Sequence, residues 1–483
     1  MEPSVSTAGF REVRDRFGRT YRVGESPRQL TGMPRWVFIL VPWIAMMLIS
    51  TFEYAWGTAE DTVGQVYGWN VTHLATLFSI WVVFEAGSSA PTGWLRERGY
   101  LSVRKAVFIG AILVAIAYWS MTIAQNPWVA FVGWTVLGGI GAGMIYSSCI
   151  NTSSKWYPEN KGLRTGYING GFAYGAVPFI FILGSYFHPS NFKPFLLVLG
   201  LCFGAALLVC SFFFRDPPAN WWPEHVDPVK YRENAASRRA GNAHKNPPAV
   251  RQWKVEEALR TPQMYLLWVN MFLILAAGLF GIAWTVPIAQ NAGWTGFAAA
   301  GAGAIFALLD GIGRPISGWL SEFLGRAGAM RWVFGFMTLG LLLNYWAAES
   351  HVLWLYIMAS GLVGMCTGMQ FPLFATITSD YYGDTTNAQN YGIVYSAKIP
   401  GGLAGGVVGS WVISGMGYNN GFLLSAALAA LAVLMTWTHR QPTLEQYERI
   451  TAASKAASTQ PVTEPTGLQQ RQAGEAHSES PTL

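Results

Sequence analysis

The sequence predicts an all-helical membrane protein of twelve spans, arranged as two bundles of six. Three observations carry that expectation: long apolar blocks, basic residues confined to alternate loops, and a pentapeptide pattern that recurs in the two halves. Hydrophobic residues make up 52% of the 483-residue chain and charged residues only 12%, where soluble domains carry roughly 25% charged residues. The apolar residues fall in blocks long enough for a bilayer, which a helix crosses in roughly 20 residues. The 22 tryptophans fit the same picture, because indole rings favour the headgroup zone.

The expected spans are 36–56, 71–93, 106–124, 128–150, 166–187 and 194–214, then 263–287, 297–320, 332–348, 352–376, 391–415 and 419–438. Residues 1–35 read as a cytoplasmic N-terminal segment, with 36–214 as the first bundle and 263–438 as the second. The 215–262 linker between them is charged and opens on Arg215-Asp216-Pro217-Pro218. Residues 439–483 are rich in Ser, Thr, Gln, Glu and Ala and are expected to be a disordered cytoplasmic tail. No short apolar stretch ends in a cleavage site, so the first span is expected to stay in place.

The formal charge of +6 reports topology rather than a nucleic-acid partner. Of the 32 Lys and Arg residues, 29 lie before Trp36, in 94–105, 151–165, 215–260 or 326–331, or after Thr438. In the alternate loops only Lys193 is basic, and Arg314 and Lys398 lie inside apolar segments. The positive-inside rule then puts both termini and the linker in the cytoplasm, in a multi-pass protein of the inner (plasma) membrane.

The repeat supports the division into halves. Gly93-Trp94-Leu95-Arg96-Glu97 closes the second span and Gly318-Trp319-Leu320-Ser321-Glu322 closes the eighth, each followed by basic residues. Parallel six-helix repeats are a transporter architecture. The glycines permit close helix contact, and the acids can pair with neighbouring helix ends.

Charge inside hydrocarbon costs about 2.5–3.5 kcal/mol at a helix centre and demands a reason. Five Asp, Glu, Lys or Arg residues fall within spans: Glu53, Glu85, Asp310, Arg314 and Lys398. Arg314 and Lys398 could face a central cavity and hold a carboxylate, the first as a bidentate fork and the second as a point charge. A structural alternative stands beside this reading. Asp310 and Arg314 are spaced i, i+4 and can pair within one helix, and Glu53 and Glu85 can serve as partners for the cations. Three acids against two bases leave a net −1, which repels an anion. Glu53 or Glu85 is therefore expected to be neutral at pH 7 through desolvation, linking transport to protons.

Tyr54, Trp56, Tyr146, Phe172, Tyr174, Phe371 and Tyr395 lie near the expected midplane and can either cage a small ligand or pack helices. The glycine runs at 138–143 and 401–406 suit helices that slide on one another. No phosphate loop is present, the histidines lack metal-ligand spacing, and no nucleophile–base pair appears. Neither an enzyme nor a cofactor or metal is expected. Cys149, Cys202, Cys210 and Cys366 read as small buried residues rather than disulfides.

Over most of 34–438 the chain resembles the oxalate/formate antiporter family of the major facilitator superfamily. The resemblance rests on Tyr54-Ala55-Trp56, on Asn151-Thr152-Ser153-Ser154-Lys155-Trp156-Tyr157-Pro158 and on Leu259-Arg260-Thr261-Pro262-Gln263. It rests further on Gly313-Arg314-Pro315, Ser379-Asp380-Tyr381-Tyr382-Gly383 and Asn390-Tyr391-Gly392. It implies a major facilitator fold and a carboxylate held between Arg314 and Lys398, with Tyr54 and Tyr146 lining the cavity. The chain departs from the family where Phe172 and Phe371 stand in for tyrosines and Thr367 for a tryptophan. Glu53 and Glu85 stand where the family looks neutral. These departures imply a roomier, less polar cavity and bear on which carboxylate is accepted.

The expected function is secondary active transport of a small carboxylate by alternating access, of the oxalate/formate exchange type. The expected substrate site comprises Arg314, Lys398, Tyr54, Tyr146, Phe371 and Tyr395, with Glu53, Glu85 and Asp310 setting its charge. The alternatives are a proton-coupled symporter of a monocarboxylate such as lactate or pyruvate, and a carboxylate sensor that moves nothing. The partners are the anion, a proton in the symport case, and the lipid bilayer; the chain is expected to act as a monomer.

Overall fold

The computed structural model describes residues 10–14, 20–231, 233, 246–247, 249–383 and 386–459. Among the described residues, twelve helices are long and apolar enough to cross a membrane. Spans 1 to 6 are Val37–Tyr54, Val71–Arg96, Val103–Thr122, Pro127–Trp156, Leu163–Tyr186 and Pro189–Phe213. Spans 7 to 12 are Pro262–Asn291, Gly296–Leu324, Arg326–Glu349, Leu353–Tyr382, Gln389–Met416 and Asn420–Thr438. An even number of such helices in each half puts the linker, the start of span 1 and the end of span 12 on one face, here the linker face, opposite the far face.

Local chemistry sets the helix starts. The Asn70 and Ser102 side chains accept from the N–H of His73 and Lys105 at the heads of spans 2 and 3, and Thr295 caps span 8 in the same way. Proline at the first turn opens spans 4 and 7, where the missing N–H has no helical partner to lose. Spans 4 and 10 run to Trp156 and Tyr382, past the apolar blocks that end near 150 and 376, because their polar ends continue the helix at the linker face.

Three spans are interrupted at the level of the buried charges. The first breaks at Ala55 before resuming as Trp56–Tyr67. The fifth breaks between Tyr174 and Val177, and the eleventh between Tyr395 and Lys398. Irregular backbone at membrane depth is tolerated where protein or a cavity surrounds it.

Toward the far face the halves are closed on each other. The Val407 N–H of span 11 donates to Ser79 Oγ of span 2 at 3.1 Å. A Cβ at Gly57 would stand 2.7 Å from the Ala283 carbonyl of span 7, so only glycine permits that contact. On the linker side, a Cβ at Gly166 of span 5 or Gly392 of span 11 would meet no atom within 4 Å. The two bundles meet at the midplane and far face, and these two linker-side positions have open space beside them.

The linker face carries structure that the sequence reading left out. Strand β1 (Arg11–Arg14) pairs antiparallel with β2 (Thr20–Val23), which pairs parallel with β3 (Trp221–Trp222) of the linker. The reading of 439–483 as disordered needs correction, because Leu444–Thr459 is helical. Its Tyr447 ring packs on the buried Trp253, which also packs on Tyr382 of span 10. Residues 460–483 of that expected tail lie outside the described residues. Cys202 corrects another expectation: it is exposed on the apolar outer surface, whereas Cys149, Cys210 and Cys366 are buried.

Candidate functional site

Glu53, Glu85, Asp310, Arg314 and Lys398 gather into two clusters between the halves. In the first, the Lys398 ammonium donates to Glu53 Oε2 at 3.1 Å and to Glu85 Oε2 at 3.0 Å. Lys398 heads the second helical segment of span 11, Glu53 stands just before the break in span 1, and Glu85 lies within span 2. All three are buried, and Glu85 Oε1 has no hydrogen-bond partner among the described residues.

The second cluster is built on Arg314 of span 8. Its Nε and Nη2 both donate to Asp310 Oδ1, at 3.0 and 2.9 Å, one helical turn away. Nη2 also donates to the Tyr54 hydroxyl at 3.1 Å, and that hydroxyl donates onward to Asp310 Oδ2 at 2.9 Å. Nη1 donates to the carbonyl oxygen of Asn169 on span 5 at 2.9 Å and to its Oδ1 at 2.5 Å. The Tyr146 hydroxyl donates to the same Oδ1 at 2.7 Å.

Aromatic rings close around both clusters. The Arg314 guanidinium carbon lies 5.1 Å from the centre of the Phe371 ring, and Lys398 Nζ lies 5.9 Å from that of Phe172. Phe172 is met edge-on by Tyr54 and Tyr146, with centroids 5.8 and 5.3 Å away, and Phe371 packs against Tyr395 at 6.1 Å. All nine residues singled out from the sequence as substrate-binding or charge-setting thus come together. Trp56 and Tyr174 do not join them. Trp56 packs on Trp134 inside the first half, and the Tyr174 hydroxyl accepts from Trp43 Nε1 at 3.0 Å. The Thr367 hydroxyl is taken up within its own helix by the Val363 carbonyl.

The intrahelical Asp310–Arg314 pair foreseen as a structural alternative is present, and so is the pairing of Glu53 and Glu85 with a cation. Both cations belong to the second half, and each is bound by acceptors of the first half. Asn169 escaped the sequence reading. It carried a signal, since an amide inside an apolar span needs a polar partner. Tyr146, Asn169 and Tyr395 are half-buried and lie on the linker side of the charges, which places the route to them on that side.

The Major Facilitator Superfamily model matches residues 42–350 and 266–470. An oxalate:formate antiporter of Oxalobacter formigenes is 26% identical over 407 residues, covering 84% of this chain and 91% of that one. Monocarboxylate transporter 12-B of Danio rerio is 23% identical over 351 residues, 69% of this chain and 72% of its own. Among solved structures, the xylose transporter XylE from E. coli, in a partially occluded inward-open conformation, superposes with a TM-score of 0.63 at 10% identity. That match covers 84% of this chain and all of XylE, and it speaks to the fold. With twelve spans in two halves, charges buried between them and a family model that covers most of the chain, this protein is a membrane transporter of the Major Facilitator Superfamily.

Proposed function

We propose that the protein carries a small carboxylate across the plasma membrane by alternating access, as a monomer with its termini and linker in the cytoplasm. One observation carries this reading. Arg314 and Lys398 are buried at the interface of the halves, and every partner they hold there is an oxygen acceptor. A carboxylate offers the same chemistry, and either cation can accept it in exchange for an internal partner. Substrate binding then rearranges the contacts that join the halves, which is the coupling that alternating access needs. Tyr54, Tyr146, Phe371 and Tyr395 bound the space beside the cations, and Glu53, Glu85 and Asp310 set its charge. The similarity to an oxalate:formate antiporter supports carboxylate exchange as the mode.

Proton-coupled transport of a monocarboxylate is favoured by a separate observation. Two carboxylates share one ammonium, and Glu85 Oε1 is buried with no donor among the described residues. A proton on that pair balances the cluster, and its release with substrate couples the two fluxes. The similarity to a monocarboxylate transporter points the same way.

The test is uptake of labelled oxalate, formate, lactate and pyruvate into proteoliposomes, with and without internal counter-substrate and with and without a pH gradient. Saturable uptake of at least one is expected, with loss of more than tenfold in Arg314→Ala and in Lys398→Ala. Normal transport by either variant overturns the site assignment.

A further inference from the structure

A guanidinium has five N–H donors, and in Arg314 all five are taken by protein: one at Nε, two at Nη2 and two at Nη1. An anion therefore reaches Arg314 only by displacing one of these partners. Asp310 is a buried carboxylate whose two oxygens are held by Arg314 and Tyr54, and the Tyr54 hydroxyl is itself committed to Asp310. The Asn169 carbonyl is main chain and fixed in its helix. What remains is the Asn169 amide oxygen, which is uncharged, sits on a rotatable side chain and is half-buried on the open linker side. It receives two hydrogen bonds at one point, from Arg314 Nη1 at 2.5 Å and from the Tyr146 hydroxyl at 2.7 Å. One guanidinium donor and one tyrosine hydroxyl converging on a single oxygen is the environment a carboxylate oxygen would seek.

Building on the proposed carboxylate reading, we infer that Asn169 Oδ1 stands in the place of a substrate carboxylate oxygen. The substrate binds by turning this amide out and taking over Arg314 Nη1 and the Tyr146 hydroxyl together. The exchange also acts on the joint between the halves. Directly beside it, a Cβ at Gly170 of span 5 would stand 2.9 Å from the Gly311 carbonyl of span 8, and one at Gly311 would stand 2.7 Å from that of Gly170. Asn169 and Arg314 thus bond across the point where spans 5 and 8 touch backbone to backbone. A substrate that removes the side-chain half of this bond weakens the tie as it binds. Asn169 is a positioning residue that competes with substrate rather than a ligand that assists it.

This predicts effects of opposite sign. Asn169→Ala removes the competitor and leaves two donors free, so binding should tighten, by about tenfold for one charge-assisted hydrogen bond. Asn169→Asp puts a fixed carboxylate in the substrate's place and should weaken binding by tenfold or more. Equilibrium binding of labelled oxalate and lactate to the purified full chain tests this, alongside melting curves and counterflow rates. In Asn169→Ala, the dissociation constant and the maximal counterflow rate should fall together, because release becomes slower. If that variant does not purify, Asn169→Val answers the same question. Weaker binding in the apolar variant, as a structural tie or a direct ligand would give, overturns the inference, and so does undiminished binding in Asn169→Asp. If the wild type binds neither probe, the carboxylate reading fails and takes this inference with it; that outcome is separate, because it appears before any variant is compared.

Discussion

Glu85→Gln is the sharpest probe of how charge is handled between the halves. In the wild type, Glu53 and Glu85 each touch the same ammonium, at 3.1 and 3.0 Å. Their contacting oxygens therefore lie within about 6 Å of each other, and two unit charges at that distance repel by about 3 kcal/mol at an effective dielectric constant of about 20. The proton proposed for this pair removes that repulsion in the wild type, and the amide copies the protonated acid in shape, in charge and in offering an oxygen to Lys398. Stability should therefore hold. Lys398→Met leaves two buried acids without a cation and should cost about 3–5 kcal/mol. The functional consequence is larger than the thermal one. A carrier that moves one proton with each monocarboxylate gains about tenfold in accumulation per pH unit. Wild-type proteoliposomes should accumulate labelled lactate in response to an inward proton gradient, whereas Glu85→Gln should lose that response and keep counterflow. The double variant Glu53→Gln, Glu85→Gln leaves Lys398 without a titratable partner, so it must lose the response as well. A gradient response that survives in the double variant refutes the assignment of the proton to this pair.

Other consequences lie away from the ammonium. Gly311→Val should abolish transport, because its Cβ would stand 2.2 Å from the Tyr174 ring and 2.7 Å from the Gly170 carbonyl; uptake at the wild-type rate would show that spans 5 and 8 do not need this approach. Trp253→Ala should remove the packing on Tyr382 and Tyr447, worth about 3 kcal/mol for a buried ring. Limited proteolysis should then cut near the 444–459 helix well before wild type does.

Much of this architecture was legible because membrane helices announce themselves locally. Span existence depends on apolar length, and sidedness on loop charge, so both could be read without tertiary information. The intramembrane ionisable residues were legible for the same reason, since each stood out against its own segment. Their pairing was not. Glu53 and Lys398 lie 345 residues apart, and no local pattern states which helices face each other. Strand β2 finding its partner at 221–222 is non-local in the same way. Asn169 shows a different failure. The amide stands among Gly166, Gly170 and Gly171, but as a neutral group it leaves no mark on the charge pattern, although it receives two of the hydrogen bonds at the site. The 444–459 helix was hidden by composition, because few apolar residues, Tyr447 and Ile450 among them, pack it against the core.

The linker shows how a charge outside the bilayer can hold the first half together, and Asp216 tests it. Its carboxylate accepts from Arg96 Nη2 at 2.9 and 3.2 Å, from Lys155 Nζ at 2.9 Å and from Thr152 Oγ1 at 3.0 Å. One side chain thereby ties the ends of spans 2 and 4 to the start of the linker. Burial alone would raise its pKa, but the Arg96 and Lys155 charges outweigh burial and hold the carboxyl below its usual range. A depressed folded value means that Asp216 contributes its stability above the unfolded carboxylate pKa of about 3.9, and that the contribution is lost as pH falls through the folded value. Asp216→Asn should remove it at every pH. The Arg96 side chain is buried, and its Nε and Nη1 lack partners among the described residues, so losing the counter-charge leaves a guanidinium poorly compensated. The full cost of such a break is about 3–5 kcal/mol, reduced to about 2 kcal/mol here because Asp216 is partly exposed and water screens it. Melting curves should show Asp216→Asn below wild type at pH 7, with the gap closing on the acid side as the wild type loses the same ion pair. Replacing Arg96 by Met in that variant should recover part of the loss, since a buried cation without a partner costs more than its absence. If Asp216→Asn melts with the wild type at pH 7, the other linker contacts suffice, among them Trp156 Nε1 donating to the Arg215 carbonyl, Trp221 packing on Trp156 and the strand pairing.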